Sequence, residues 1–123
     1  MPARGWGMGR RFDFYGIRII WRMEKSTPHY RLDDVKAVVA ARRQQVFTIT
    51  ALRGAGALEI SQAEAISVVL GLQAHNFYKS MTTHGDHRVW QDVYHARCPN
   101  GRVAYIKLTL RDDGVVVIQF KEL

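Results

Sequence analysis

RVAYIKLTLRDDGVVVIQFKEL, residues Arg102 to Leu123, is the stretch that decides the fold. Ala104, Ile106, Leu108 and Leu110 alternate with Tyr105, Lys107 and Thr109, and Val116, Ile118 and Phe120 alternate with Gln119 and Lys121. A period of two is that of a strand with one core face and one polar face. Between the two runs, Asp112, Asp113 and Gly114 are hairpin residues. A three-residue loop pairs Arg111 with Val115, and therefore Ile106 with Phe120 and Leu108 with Ile118, whereas a two-residue loop sets apolar residues against polar ones. A slip of one residue turns every side chain to the other face, so the pattern constrains the register strongly. In that register Tyr105 lies opposite Lys121 and Lys107 opposite Gln119, which gathers two ammonium groups and a phenol on the polar face. The plain alternative is the solvated outer surface of a two-layer domain, where Lys, Gln and Tyr are commonplace.

Working back along the chain, Val89 to Arg97 reads as a third strand, joined to the second by Pro99, Asn100 and Gly101. A two-residue Asn100-Gly101 turn sends Gln91 to the face opposite Tyr105, and an odd loop brings it alongside; the odd loop is the expectation. No helical segment separates these strands, so they form an antiparallel meander. Upstream, Leu32, Val35, Val38 and Val39 repeat at helical spacing, with Asp33 and Asp34 at the start and Arg42 and Arg43 at the end, an order that suits the helix dipole. A short extended piece around Val46 to Ile49 leads into the glycines Gly54 and Gly56. Ser61 and Glu64 then form a capping-box pair before a helix over Ile66, Val69 and Leu70 that ends near Gly71. His75 to Thr83, carrying Phe77, Tyr78, Lys79 and Met81, is expected to be a short helical turn. The class is α+β, a meander covered on one face by N-terminal helices.

Composition narrows the partners. At 123 residues and 47% hydrophobic, the chain can bury a core without metal or disulfide staples. Its formal charge is +7, of which five arginines against Asp13 place +4 in residues 1–22 and leave +3 for the rest. A domain so mildly basic suits contact with a few phosphates at one site better than coating a duplex. Cys98 is the single cysteine, which points to a reduced, cytoplasmic setting. His29, His75, His84, His87 and His95 are scattered, so neither metal nor cofactor is expected. Ile17 to Trp21 is interrupted by Arg18 and is too short for a signal core or a membrane span. Residues 1–22 are expected to be a non-native or disordered basic extension. The other reading is an arm whose Phe12, Phe14, Tyr15 and Trp21 stack on unpaired bases.

The segment FYKSMTTHGDHRVWQDVY, Phe77 to Tyr94, is polar and aromatic where a core strand would be apolar. Together with MEKSTPH at Met23 to His29, NFYKSMTTH at Asn76 to His84, WQDVY at Trp90 to Tyr94 and FKE at Phe120 to Glu122, it resembles the motility quorum-sensing regulator (MqsR) toxin family, with 23–123 as the single toxin domain. The likeness implies a RelE-like toxin architecture and a metal-independent, sequence-selective mRNA endoribonuclease. It carries the family's cleavage residues onto Lys79, Gln91, Tyr105 and Lys121. It also implies single-stranded mRNA as substrate and a zinc-containing helix-turn-helix antitoxin as partner, with no membrane and no direct DNA binding without that antitoxin. The chain departs from the family pattern in LRGAGALEI, at His84 and Gly85, and in residues 1–22.

RNA can be cut without metal by attack of a ribose 2′-hydroxyl on the adjacent phosphate, a nucleophile that DNA lacks. Such a site needs phosphate charge, a base and an acid. Lys79 and Lys121 are assigned charge and base duties, Tyr105 a proton donor or acceptor, and Gln91 the orientation of the phosphate or nucleobase. Proximity of Lys107 to Lys121 disfavours double charging and should lower lysine pKa values. Tyr78, His87, Lys107 and Gln119 are secondary RNA-binding candidates, whereas Trp90, Tyr94, Phe77 and Met81 read as packing residues. The competing class of function is a non-catalytic regulator that binds RNA or the antitoxin through the same basic face.

Overall fold

The computed structural model describes residues 11–15, 18–114 and 116–123, with side chains from Arg22 onward. Most of the expected 1–22 extension, and the Arg111–Val115 pair, lie outside the described residues or their side chains. The backbones of β1 (Arg11–Tyr15) and β2 (Arg18–Arg22) pair antiparallel as a two-stranded sheet.

The main sheet has five strands in sequence order, β3 (Glu24–Lys25), β4 (Phe77–Thr82), β5 (Trp90–Arg97), β6 (Val103–Leu110) and β7 (Val116–Glu122), every neighbouring pair antiparallel. Three helices, α1 (Leu32–Arg42), α2 (Ile49–Ala57) and α3 (Gln62–Leu70), intervene between β3 and β4. The α+β expectation and its meander hold. The expected β6–β7 register holds to the residue: Tyr105 faces Lys121, Ile106 faces Phe120, Lys107 faces Gln119 and Leu108 faces Ile118. The turn is closed by Gly114 N–H donating to the Arg111 carbonyl at 2.8 Å, with Gly114 at φ 80°, a conformation that an L side chain resists.

The alternation explains the core. Ala104, Ile106, Leu108, Val116, Ile118 and Phe120 are all buried, and they pack with Tyr94 and Ala96 of β5 against Val35, Val39, Ala51, Ala55, Ile66 and Val69 of the helices. Each large apolar side chain so buried contributes about 1.5–3 kcal/mol. Caps fix where the helices begin. Ser61 and Glu64 form the expected capping box, and the Thr48 hydroxyl both accepts from Ala51 N–H and donates to the Ile118 carbonyl at 3.0 Å, which ties the start of α2 to β7.

Gly54 and Gly56 lie inside α2. A Cβ at Gly54 would stand 1.8 Å from the Phe120 carbonyl oxygen, so its glycine serves close packing of helix on strand rather than a turn. One expectation is corrected: the segment His75 to Thr83 is a short 3-10 turn (Ala74–Asn76) followed by strand β4 rather than a helical turn. Ser80 and Thr82 turn inward, fully buried, and Lys79 is on the other face, a two-residue period that the polar content of the segment conceals. Extended backbone suits this segment because β3 and β5 supply hydrogen-bond partners on both edges.

Candidate active site

The five-stranded sheet carries the candidate site residues on the face away from the helices. Backbone pairing sets them in rows across the strands. One row runs Lys79, Val93, Lys107 and Gln119, and the next has His95, Tyr105 and Lys121. The β5–β6 connection is a five-residue loop from Cys98 to Arg102, narrowed by Cys98 N–H donating to the Arg102 carbonyl at 2.7 Å. That odd length sets Val93 opposite Lys107, and Gln91, two residues from Val93 on the same strand, shares the face of Lys107 and Tyr105, as expected. Its neighbour Asp92 turns inward and is fully buried, where it accepts backbone N–H groups of His29 and Tyr30 at 2.9 to 3.0 Å.

All four principal candidates therefore share one face, and the secondary ones divide. Lys121 Nζ stands 5.0 Å from the Tyr105 ring centroid and Lys107 Nζ 5.8 Å from it. Lys79 Nζ is 5.5 Å from the ring of Tyr78. Gln119 adjoins Lys107 across the ladder. His87, by contrast, lies exposed in the β4–β5 loop and is not in these rows. Trp90, Tyr94 and Met81 are buried packing residues, and Phe77 is half-buried with its ring edge-on to Tyr94 at 5.5 Å.

Three further residues join the face that sequence reasoning did not single out. Glu24 Oε2 receives the Lys79 ammonium at 2.8 Å, both side chains about one-quarter exposed. Arg22 contacts Met81 Sδ at 3.7 Å and hydrogen-bonds His84. His95 is sandwiched: Tyr78 stacks on it at 4.5 Å and Tyr105 lies tilted at 5.8 Å, while its Nε2 is buried with no hydrogen-bond partner among the described residues. Parity on β5 could have flagged His95, which is four residues from Gln91. No local pattern reveals Arg22 or Glu24, whose partners are more than fifty residues away.

The electrostatics follow from this crowding. Burial pushes the Lys107 ammonium below the usual lysine range, and the nearby charges of Arg22, Lys121 and Lys79 add to that effect. Burial pushes the Tyr105 phenol the other way, above the usual range; Arg22 opposes the rise, while Tyr78 and Glu24 reinforce it. The lowered lysine expected of the cluster is found at Lys107. An amine made easier to deprotonate beside a phenol made harder to ionise is the combination that separates base from acid. Among the described residues, no group of three or more His, Cys, Asp or Glu side chains is arranged to hold a metal ion.

A family model described as "Motility quorum-sensing regulator, toxin of MqsA" matches residues 27–122. The mRNA interferase toxin MqsR of Escherichia coli (strain K12) is 45% identical over 100 residues, which span 81% of this chain and 99% of the relative. Lys79, Gln91, Tyr105 and Lys121 lie inside the family match, and Arg22 and Glu24 lie outside it.

Proposed function

The chain belongs to the motility quorum-sensing regulator toxin family, and on that premise we propose that it is an mRNA endoribonuclease, the toxin of a type II toxin–antitoxin pair that inhibits translation and growth. The observation that carries this reading is the meeting of Tyr105 and Lys121 on the outward face of β6 and β7, beside Lys107 and in phase with Lys79 and Gln91. A phosphodiester laid along this face meets several cations and a phenolic donor at once. In this reading Lys79 and Lys121 hold the scissile phosphate, Tyr105 supplies a proton, and Gln91 orients the phosphate or the base next to it.

Cleavage is metal-independent and runs through the 2′-hydroxyl, so single-stranded RNA is the substrate and DNA is not cut. The partner is a zinc-containing helix-turn-helix antitoxin that covers the toxin in the complex and supplies the DNA contacts, and the setting is cytoplasmic. Among the described residues no helix is long and apolar enough to cross a membrane.

The test is incubation of the purified chain with single-stranded mRNA in excess chelator. Fragments ending in 2′,3′-cyclic phosphate support the reading, and intact RNA refutes metal-free cleavage. Tyr105→Phe and Lys121→Ala should each lose on the order of 10² to 10⁴ in rate. Wild-type rates in both variants would remove these residues from the site.

A further inference from the structure

We infer that Lys107, at the centre of the polar face, is the catalytic base that takes the proton of the attacking 2′-hydroxyl, with Tyr105 beside it as the acid for the leaving oxygen. This rests on the nuclease reading and names a base that the family likeness does not mark.

Position argues first. Lys107 is half-buried on a central strand, with Val93 and Gln119 as its uncharged cross-strand neighbours. The charged groups that act on it are Arg22, Lys79 of β4 and Lys121 of β7; His95 of β5 and Tyr105 of its own strand lie in the next row, and Glu24 of β3 and Tyr78 of β4 act on that phenol. Glu24, the acid among them, is engaged by Lys79, and among the described residues no carboxylate pairs with Lys107. A surplus of cations without a counterion favours the neutral amine, and partial burial acts in the same direction.

The other amines and the imidazole fit the part less well. Lys79 is held at 2.8 Å by Glu24, and Lys121 is exposed on the edge strand, positions suited to gripping phosphate. His95 lies beneath Tyr78 with its Nε2 buried. One face of its ring is covered by Tyr78.

The proton balance closes within the site. The neutral amine of Lys107 takes the proton from O2′ as O2′ bonds to phosphorus. The bond from phosphorus to O5′ breaks with its electron pair on O5′, which receives the phenolic proton of Tyr105. The products are a 2′,3′-cyclic phosphate and a 5′-hydroxyl. Transfer of the extra proton of Lys107 to the Tyr105 phenolate, directly or through water, restores both groups.

Lys107→Arg separates base from phosphate ligand, because guanidinium keeps the charge but cannot be deprotonated. Single-turnover cleavage of a transcribed mRNA is measured from pH 5.5 to 9.5, with RNA affinity and thermal melting in parallel. For the wild type the logarithm of the rate climbs with pH and then levels. In Lys107→Arg, RNA is bound and the fold melts normally, the rate falls on the order of 10² to 10⁴, and the climbing limb is lost. Lys107→Gln should lose as much rate and also bind RNA less tightly.

A Lys107→Arg enzyme with the wild-type rate and profile overturns the assignment while leaving the nuclease reading intact. So does one whose loss lies wholly in RNA affinity. Absence of cleavage by the wild type would bring down the nuclease reading itself, and this inference with it.

Discussion

Gly54 sits so close to Phe120 that a Cβ added to the glycine would meet the phenylalanine carbonyl oxygen at 1.8 Å and the carbonyl carbon at 2.9 Å. The obstruction is backbone, which cannot rotate aside as a side chain can. It lies one residue before Lys121, so the packing of α2 sets the height of the strand that carries the site.

Gly54→Ala should therefore destabilise the protein despite the better helix propensity of alanine. The expected loss is about 1–3 kcal/mol, the usual result of overpacking. Because β7 must move to admit the methyl group, cleavage should fall by more than the unfolded fraction explains. Urea denaturation with parallel rate measurement checks both, and an unchanged midpoint refutes the close contact.

Glu24 should compete with RNA for Lys79. Replacing it by glutamine removes the negative partner 2.8 Å from the ammonium and leaves the shape nearly unchanged. One further phosphate contact on a single strand steepens the dependence of log affinity on log salt by about 0.7. Glu24→Gln in a Tyr105→Phe background, which spares the RNA, should bind more tightly at low salt and show that steeper slope. Identical slopes would mean that Glu24 does not restrain Lys79 during binding.

Asp92 is the inward neighbour of Gln91 and holds the chain entering α1 through the amides of His29 and Tyr30. Asp92→Ala orphans those donors and should cost about 3 kcal/mol, whereas Asp92→Asn, which keeps an acceptor oxygen, should cost less. The check is the shift in urea midpoint at constant slope. Equal losses in the two variants would show that the anchor depends on the carboxylate charge rather than on acceptance alone.

Alkaline stability should depend on Tyr94. Burial raises its phenol to about 12 from an ordinary value of 10.0, reinforced by the Asp92 charge. A group whose folded pKa is raised contributes stability that is whole below the unfolded pKa and disappears as pH climbs through the folded one. The wild type should therefore lose on the order of 2 kcal/mol between about pH 10 and 12 from this residue. Tyr94→Phe should lose correspondingly less over that window in denaturation curves, and parallel curves for the two proteins would contradict the assignment.

Alternation of side chains and turn length are local, so they survive in a bare sequence. That is why the pairing of Tyr105 with Lys121 is legible in the sequence, whereas the side taken by Gln91 turns on a loop length that the sequence leaves open between two and an odd number. The capping box at Ser61 is likewise a contact between residues three apart. Strand β4 was not legible as a strand, because its backbone is satisfied by β3 and β5 rather than by anything nearby in sequence. The reason Gly54 is glycine, the Phe120 carbonyl, comes from a different element and leaves no mark in the local sequence.

The chain order of apolar and polar residues was thus sufficient to set the class, the last hairpin and the gathering of Tyr105, Lys107 and Lys121 on one face. Folding alone decided that Glu24 meets Lys79, that Arg22 reaches this face, and that Lys107 stands among three cations with its ammonium partly out of water. The physical reason is distance along the chain. Periodicity records the neighbours a residue has within its own element, but charge interaction and desolvation depend on every element that packs around it.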